Sequence, residues 1–205
     1  MKRVVICDSG LGGLNVASGF FSVREGEICD VIYFNAYPAK GGGFNTLPSD
    51  RAREDLLRNV LEAMKKFSPD LCLVACNTLS IVWERLKERY APPFPVTGIA
   101  DAATEGMFTA LDRDPGSSLL ILGTKTTAAS GVYTERLIRR GIKPGRLRTL
   151  ACPGLATLLE SDPEGPAAAI RIAGYAEEAA SLFDVFPQRL YLGLCCTHFG
   201  FARPL

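Results

Sequence analysis

Short apolar runs recur along this chain and constrain its fold more than any other feature. Several of them are apolar throughout, without the alternation of a half-exposed strand. Strands buried on both faces of a parallel sheet have such continuous apolar sequences. The predicted strands cover residues 3–7, 31–34, 71–75, 96–99, 119–122, 147–151 and 190–195. Helical patterns lie between these strands, so the sequence predicts an α/β fold with doubly wound parallel sheets.

Helix boundaries follow from capping residues and from glycine. Ser49 and Asp101 are predicted to cap the helices that begin beside them. Further helices are predicted over residues 79–90 and over residues 128–140, where Gly141 closes the second.

Length and composition are those of an ordinary globular protein. The chain has 205 residues, which suits one large or two small domains. The residues 91–95, Ala-Pro-Pro-Phe-Pro, are the best candidate for a linker. We therefore predict a first lobe over residues 1–95, which carries Asp8 and Cys76. A second lobe over residues 96–205 would carry Thr124, Glu160 and Cys196.

Charge and hydropathy limit the expected partners and location. The formal net charge is +1, which indicates neither a nucleic-acid nor an anionic membrane partner. No apolar stretch approaches the ~20 residues that a membrane helix needs. The apolar run after Arg3 ends at Asp8, which is too short for a secretion signal. We expect a cytoplasmic protein.

Two cysteine motifs each follow a predicted buried strand. They are Ala75-Cys76-Asn77-Thr78 and Cys196-Thr197-His198. Ligands collect at the carboxyl ends of parallel strands, so both thiols are expected at a site. Their separation in sequence suits one thiol from each half of a bilobal protein, facing each other across a cleft. Reactivity and structural burial both remain open for these two thiols.

The other cysteines are predicted to be structural. The chain has seven cysteines and no C-x-x-C pair, which in a reducing compartment indicates unpaired thiols. Cys7, Cys29 and Cys72 lie in or beside apolar runs, so we expect them in the core.

Asp8 and Ser9 end the first predicted strand and open a glycine-rich turn. Asp8 would orient a substrate amino group or a base there, or else cap the turn. The glycines lack the spacing of a dinucleotide-binding fingerprint, since Asn15 stands at the third position. The turn is better suited to a small anion such as a carboxylate. The run 41–43, Gly-Gly-Gly, lacks the rest of a phosphate-binding loop and indicates a flexible segment.

Three further residues are candidates with a competing structural explanation. Thr124 offers a hydroxyl at a strand end, where it would contact substrate or cap a helix. Glu160 would normally be a solvated residue at a helix end. His198 is the one histidine of the chain, and no spacing suits zinc, so we expect no metal.

Five segments, in chain order, resemble motifs of the glutamate racemase family in the aspartate/glutamate racemase superfamily. Residues 5–16 resemble its opening D-S-G-x-G-G-L-T-V, and residues 75–80 its A-C-N-T-A-S. Residues 123–133 resemble its G-T-x-x-T segment, residues 151–160 its A-C-P…E, and residues 196–199 its C-T-H-Y. The resemblance implies two pseudo-symmetric α/β lobes, the site in the cleft between them, and a homodimer.

The resemblance also implies a reaction without cofactor. Two opposed thiols would interconvert L- and D-glutamate, supplying D-glutamate for peptidoglycan. Cys76 would act on the D-enantiomer with support from Asp8. Cys196 would act on the L-enantiomer with support from His198 and Glu160. The substrate-binding residues implied by the resemblance are Ser9, Asn77, Thr78, Thr124, Thr197, Gly42 and Gly43.

Departures from the family pattern keep two alternatives open. Asn35 and Ala36 stand where the family carries an aspartate, and the glycine run 41–43 stands near its P-Y-G. This altered loop favours another substrate, such as aspartate. Cys195 replaces a glycine, and family members continue beyond the position of Leu205. These two features favour a carboxylate-binding relative without turnover.

Overall fold

The computed structural model describes residues 2–23, 29–37 and 44–202 and is an α/β structure, as predicted. The chain divides into two compact units, Met1–Ile99 and Ala100–Leu205. Each unit contains one parallel sheet with helices packed against it, and each is described below by itself.

The first unit is built on a four-stranded parallel sheet in the order β2-β1-β3-β4. Its elements are β1 (Lys2–Asp8), α1 (Gly13–Val23), β2 (Cys29–Asn35), α2 (Asp50–Met64), β3 (Leu71–Val74), α3 (Asn77–Leu86) and β4 (Val96–Gly98). In this register Cys7 of β1 pairs with Phe34 of β2 and with Val74 of β3. The carboxyl ends of the two inner strands therefore lie side by side.

The second unit is built on a three-stranded parallel sheet in the order β6-β5-β7. Its elements are α4 (Ala100–Arg113), β5 (Ser118–Gly123), α5 (Lys125–Ala129), α6 (Val132–Arg139), β6 (Leu147–Ala151), α7 (Leu155–Ser161), α8 (Pro166–Ser181) and β7 (Leu190–Cys195). A 3₁₀ turn, Thr197–Ala202, follows β7.

The two sheets repeat one arrangement of strands. We call β1, β2 and β3 the first repeat and β5, β6 and β7 the second. In each repeat the first strand lies between the other two, in the orders β2-β1-β3 and β6-β5-β7. The third strand of each set, β3 or β7, leads directly into a cysteine motif. This shared order gives the pseudo-symmetry that the resemblance implies.

Burial on both faces explains the apolar runs of the first sheet, whereas β7 was predicted to be buried and has Leu192 and Leu194 exposed. On one face of the first sheet, Val5 and Cys72 join a core completed by α2 and α3. On the other face, Val4 and Ile6 pack with Ala17 of α1. Because successive residues of a strand point to opposite faces, a strand covered on both sides is apolar throughout.

Local contacts shift several element boundaries from their predicted places. α3 begins directly after Cys76 because the cysteine itself caps the helix. The predicted helix 128–140 is two helices, α5 and α6, which are separated at Gly131 with φ 66°. Asp101 was expected as a cap but lies inside α4, where it pairs with Arg136 at 2.8 Å. The first unit extends through Ile99, beyond the predicted division after residue 95, because β4 is hydrogen-bonded to β3.

Two predicted boundaries are confirmed by their local geometry. Ser49 caps α2, and its hydroxyl accepts a hydrogen bond from the Ala52 N–H at 3.1 Å. Gly141 follows α6 with φ 93°, a left-handed conformation that glycine adopts easily. Among the helices of residues 2–23, 29–37 and 44–202, none has both the length and the apolar character needed to cross a bilayer.

Candidate active site

The carboxyl ends of β1 and β3 bring Asp8, Ser9 and Cys76 together in the first unit. Ser9 Oγ and Cys76 Sγ share a hydrogen bond of 3.2 Å. Asp8 is fully buried, and its Oδ1 accepts a hydrogen bond from the Gly10 N–H at 2.9 Å. We call these three residues the first half-site.

Cys76 is fixed by the way β3 passes into α3. The Ala75 N–H donates to the Cys7 carbonyl at 2.8 Å, which continues the pairing of β3 with β1 past its last residue. Cys76 is extended, with φ −68° and ψ 127°, and its sulfur accepts a hydrogen bond from the Leu79 N–H at 3.5 Å. The thiol therefore occupies the position of a helix N-cap, at the positive end of the α3 dipole.

Opposing influences set the proton affinity of Cys76. Burial, and after it the negative charge of Asp8, raise the pKa of this thiol to about 11. Hydrogen bonds from the Ser9 hydroxyl and from the backbone N–H groups of Leu79 and Ser9 act in the opposite direction. At neutral pH Cys76 is accordingly a protonated thiol, able to donate a proton.

Asn77 and Thr78 occupy the first turn of α3, and both are buried. Ser80, one turn further along, ties the strand ends together. Its hydroxyl donates to the Val74 carbonyl at 3.0 Å and accepts from the Ile99 N–H at 3.0 Å. No sequence pattern indicates this bridge, although Ser80 belongs to the motif that carries Cys76.

Gly13 permits the close approach of α1 to Asp8. A Cβ atom at position 13 would lie 2.6 Å from the Asp8 Cβ atom, a distance that real Cβ atoms essentially never show. This glycine is needed for space and is the first residue of α1. The sequence showed a glycine-rich turn but not which glycine faces the carboxylate.

Cys196, His198 and Glu160 form a line of contacts in the second unit, which we call the second half-site. His198 Nδ1 lies 3.9 Å from Cys196 Sγ, and His198 Nε2 lies 2.5 Å from Glu160 Oε2. Cys196 and His198 are buried, whereas the Glu160 side chain is 39% exposed. The imidazole thus lies between a thiol and a carboxylate, the arrangement that orients a histidine as an acid–base partner.

The elements of the second unit explain why these three residues meet. Cys196 follows β7, and His198 lies in the 3₁₀ turn Thr197–Ala202. Glu160 lies near the end of α7, which packs against that turn. The usual exposure of glutamate favours a solvated Glu160, and only the resemblance links it to His198.

Thr124 caps α5 at the end of β5. Its hydroxyl accepts a hydrogen bond from the Thr127 N–H at 3.2 Å and donates to Thr127 Oγ1 at 3.1 Å. Thr197 begins the turn that carries His198 and is half-buried. Gly42 and Gly43 lie outside the described residues.

The other described cysteines are also buried thiols. Burial raises the pKa of Cys72 and Cys195 to about 12 and that of Cys152 to about 11. Burial also raises the pKa of Cys7 well above its usual value. The side chain of Cys29 lies outside the described part. Within the described residues, no three His, Cys, Asp or Glu side chains are grouped to hold a metal ion.

Comparison with known proteins supplies the family. The profile of the Asp/Glu/Hydantoin racemase family matches residues 36–183, which is most of the chain. A glutamate racemase from a Nitratiruptor species is 30% identical over 205 residues, covering 96% of this chain and 72% of the relative. The chain belongs to the Asp/Glu/Hydantoin racemase family. It is therefore an isomerase of the racemase class.

Other proteins are similar to this chain in sequence and in fold. A glutamate racemase from Aquifex aeolicus is 30% identical, covering 98% of this chain and 72% of the relative. The crystal structure of glutamate racemase from Campylobacter jejuni subsp. jejuni matches with a TM-score of 0.72 and 25% identity. That match covers 98% of this chain and 74% of the other.

Proposed function

We propose that this protein interconverts L- and D-glutamate without a cofactor, using Cys76 and Cys196 as two acid–base groups. One observation carries the proposal. Each unit places a buried thiol at the carboxyl end of the third strand of its repeat, and each thiol has its own polar partners. The relatives and the solved structure described above are also glutamate racemases.

In the proposed reaction a proton leaves one face of Cα and another arrives on the opposite face. One cysteine, as the thiolate, removes the α-proton and becomes a thiol. The electron pair of the C–H bond remains on Cα and is delocalised into the carboxylate. The other cysteine donates its S–H proton to the opposite face and becomes a thiolate, so the two cysteines exchange protonation states in each turnover.

The half-sites suit this exchange because each thiol has neighbours that act on its proton. Asp8 favours the protonated form of Cys76, whereas Ser9 favours its thiolate. His198 can exchange a proton with Cys196, while Glu160 orients the imidazole. We further propose that Cys76 acts on the D-enantiomer and Cys196 on the L-enantiomer.

We assign substrate binding to polar groups that surround the two cysteines. The substrate carboxylate and amino group would contact residues of the glycine-rich turn after β1, the glycine run 41–43, the cysteine motifs and the β5 end. These residues are Ser9, Asn77, Thr78, Thr124, Thr197, Gly42 and Gly43.

The biological setting belongs to the same proposal. D-Glutamate from this reaction would enter peptidoglycan, and the enzyme would act in the cytoplasm as a homodimer. Light scattering after size-exclusion chromatography checks the dimer. A monomeric mass at micromolar concentration would exclude it.

Proton exchange into D₂O tests the proposed activity. The wild-type protein should exchange the α-proton of both enantiomers of glutamate and bring either one to a racemic mixture. Cys76→Ser and Cys196→Ser should each lower racemisation by at least about a thousandfold. Cys195→Ala serves as a matched control, because it removes the neighbouring buried thiol and should leave racemisation within about twofold.

Asn35 and Ala36 support a second candidate, a racemase for another amino acid such as aspartate. Asn35 Oδ1 accepts a hydrogen bond from the Tyr37 N–H at 3.1 Å, and Ala36 is buried in the core of the first unit. Position 36 therefore offers no carboxylate to a substrate. Exchange with aspartate but not with glutamate would select this candidate. Stabilisation by glutamate without exchange would instead indicate a binding protein without turnover.

A further inference from the structure

Tyr33 of β2 contacts the turn that carries Asp8 and Ser9. Its hydroxyl donates a hydrogen bond to the Gly10 carbonyl, with an oxygen–oxygen distance of 2.5 Å. Its ring packs against the small core formed by Ile6 and other residues of the α1 face. Apolar packing thus holds the ring while the hydroxyl contacts the backbone of the turn.

The strand register explains why a long side chain is needed here. Tyr33 pairs with Ile6, and two residues further along Asn35 pairs with Asp8. Two strand residues span about 6.6 Å, so a side chain at position 33 must extend along the sheet to reach Gly10. The Gly10 residue is buried, and a buried carbonyl without a partner is costly. Tyrosine supplies both the length and the donor.

Gly10 is consequently held on both sides. Its N–H donates to Asp8 Oδ1 at 2.9 Å, and its carbonyl accepts from Tyr33. Ser9 lies between Asp8 and Gly10 in the sequence, and its Oγ shares the 3.2 Å hydrogen bond with the Cys76 sulfur. A continuous series of contacts therefore runs from the Tyr33 hydroxyl to the Cys76 sulfur.

We propose that Tyr33 is a positioning residue for the racemase reaction: its hydroxyl fixes the Gly10 peptide and so holds Ser9 beside Cys76, whereas Asp8 belongs to β1 and is held by its pairing with β2. This inference rests on the proposed function of Cys76. Tyr33→Phe keeps the ring and removes the hydroxyl, so the fold is retained while the turn gains freedom. We expect kcat to fall about five- to tenfold, the effect of one lost hydrogen bond on the orientation of a reacting group.

Tyr90→Phe is the matched control. The Tyr90 hydroxyl donates to Glu62 Oε1 at 2.6 Å, on the α2 side of the same unit. This variant also removes a tyrosine hydroxyl and its hydrogen bond, without touching the first half-site. It should leave kcat within about twofold of wild type.

Isotope effects separate positioning from a general loss of folded protein. When proton transfer at Cys76 becomes slower, the deuterium isotope effect rises for the α-deuterated enantiomer from which Cys76 removes the deuteron. It falls for the other enantiomer, because Cys76 then delivers a solvent proton. Tyr33→Phe should change both isotope effects in the same sense as Ser9→Ala, the reference variant that removes the hydroxyl in contact with Cys76. A smaller active fraction changes neither isotope effect.

Unchanged isotope effects in Tyr33→Phe, or an equal change for both enantiomers, would overturn the proposal even if kcat fell. The pH profile of Cys76 alkylation by iodoacetamide supplies a test without turnover. Tyr33→Phe should shift this profile in the same direction as Ser9→Ala, and a wild-type profile would again overturn the proposal. A wild-type protein that racemises no amino acid would contradict the proposed function, and the alkylation profile would then decide the role of Tyr33.

Discussion

After burial, the negative charge of Asp8 does most to raise the pKa of Cys76, and Asp8 is itself fully buried. A buried carboxylate interacts strongly with a nearby thiolate because little water screens the two charges. Ser9 lowers the pKa of Cys76 through its hydrogen bond to the sulfur. The proton affinity of Cys76 thus depends on two adjacent residues with opposite effects, and each can be changed separately.

Asp8→Asn should lower the pKa of Cys76 from about 11, because it removes a negative charge and keeps the shape of the side chain. At pH 8 we expect iodoacetamide to alkylate Cys76 about three- to tenfold faster, as the thiolate fraction rises. Peptide mass spectrometry with fragment assignment distinguishes Cys76 from Cys72.

Asp55→Asn is the control for this change, because Asp55 is a half-buried residue of α2 that pairs with Arg51. It should leave the alkylation rate of Cys76 unchanged. An equal or slower rate in Asp8→Asn would contradict the electrostatic role of Asp8.

At the scale of elements, the start of α1 is packed tightly against the end of β1. The ideal Cβ position at Gly13 lies 2.6 Å from the Asp8 Cβ atom, whereas the same position at Gly19 meets nothing within 4 Å. Both glycines belong to α1. The helix therefore contains one glycine that its position requires and one that it does not.

Gly13→Ala should destabilise the first unit by about 1–3 kcal/mol, the usual cost of overpacking, and should displace Asp8. Gly19→Ala should stabilise it by about 0.5–1 kcal/mol, because alanine favours the helix and no atom is in the way. Urea unfolding followed by the fluorescence of Trp83 measures both changes, since this one tryptophan of the chain lies in α3. Equal effects of the two substitutions would show that the Gly13 contact is relaxed in solution.

At the scale of the whole molecule, buried thiols couple stability to alkaline pH. Each keeps its proton in the folded state well above pH 9, the usual pKa of an unfolded cysteine. Unfolding therefore releases protons above pH 9. The stabilisation is complete below that pH and is lost as the pH rises through the folded pKa.

Cys72→Ala should make the alkaline loss of stability shallower. The pKa of Cys72 is raised to about 12 by burial, so between pH 8 and 11 its titration should lower the unfolding free energy of wild type by about 2–3 kcal/mol more than that of the variant. Val74→Ala removes a buried side chain of the same strand without a titrating group and should retain the wild-type slope. Urea unfolding monitored at Trp83 gives the comparison. Parallel pH curves for wild type and Cys72→Ala would contradict the burial of this thiol.

Much of the fold could be predicted because its causes are local in sequence. Residues 147–151 carry Leu147, Leu150 and Ala151 between a glycine and a proline that interrupt regular structure, and β6 has the predicted bounds. The helix over residues 128–140 was wrong in detail, because Thr124 caps an earlier helix and Gly131 adopts a left-handed conformation. Each cause depends on the local geometry of a single residue, which hydrophobic periodicity does not reveal.

The site was predictable as a set of residue types and incompletely as a set of contacts. Strand ends followed by Cys76 and Cys196 are visible in the sequence. The link between His198 and Glu160 came from resemblance, since nothing local brings α7 to the turn after β7. The contact of Tyr33 with Gly10 had no counterpart in the sequence patterns, because a tyrosine in an apolar strand is also a core residue.

The sequence by itself determined the alternation of strands and helices and the placement of a thiol after a predicted strand in each half of the chain. Hydrophobic periodicity and capping act over a few neighbouring residues, so the sequence alone can express them. Tertiary structure decided which polar atoms meet: Ser9 with Cys76, His198 with Glu160, and Tyr33 with Gly10. These partners are far apart along the chain, and it is strand register and helix packing that bring them into contact.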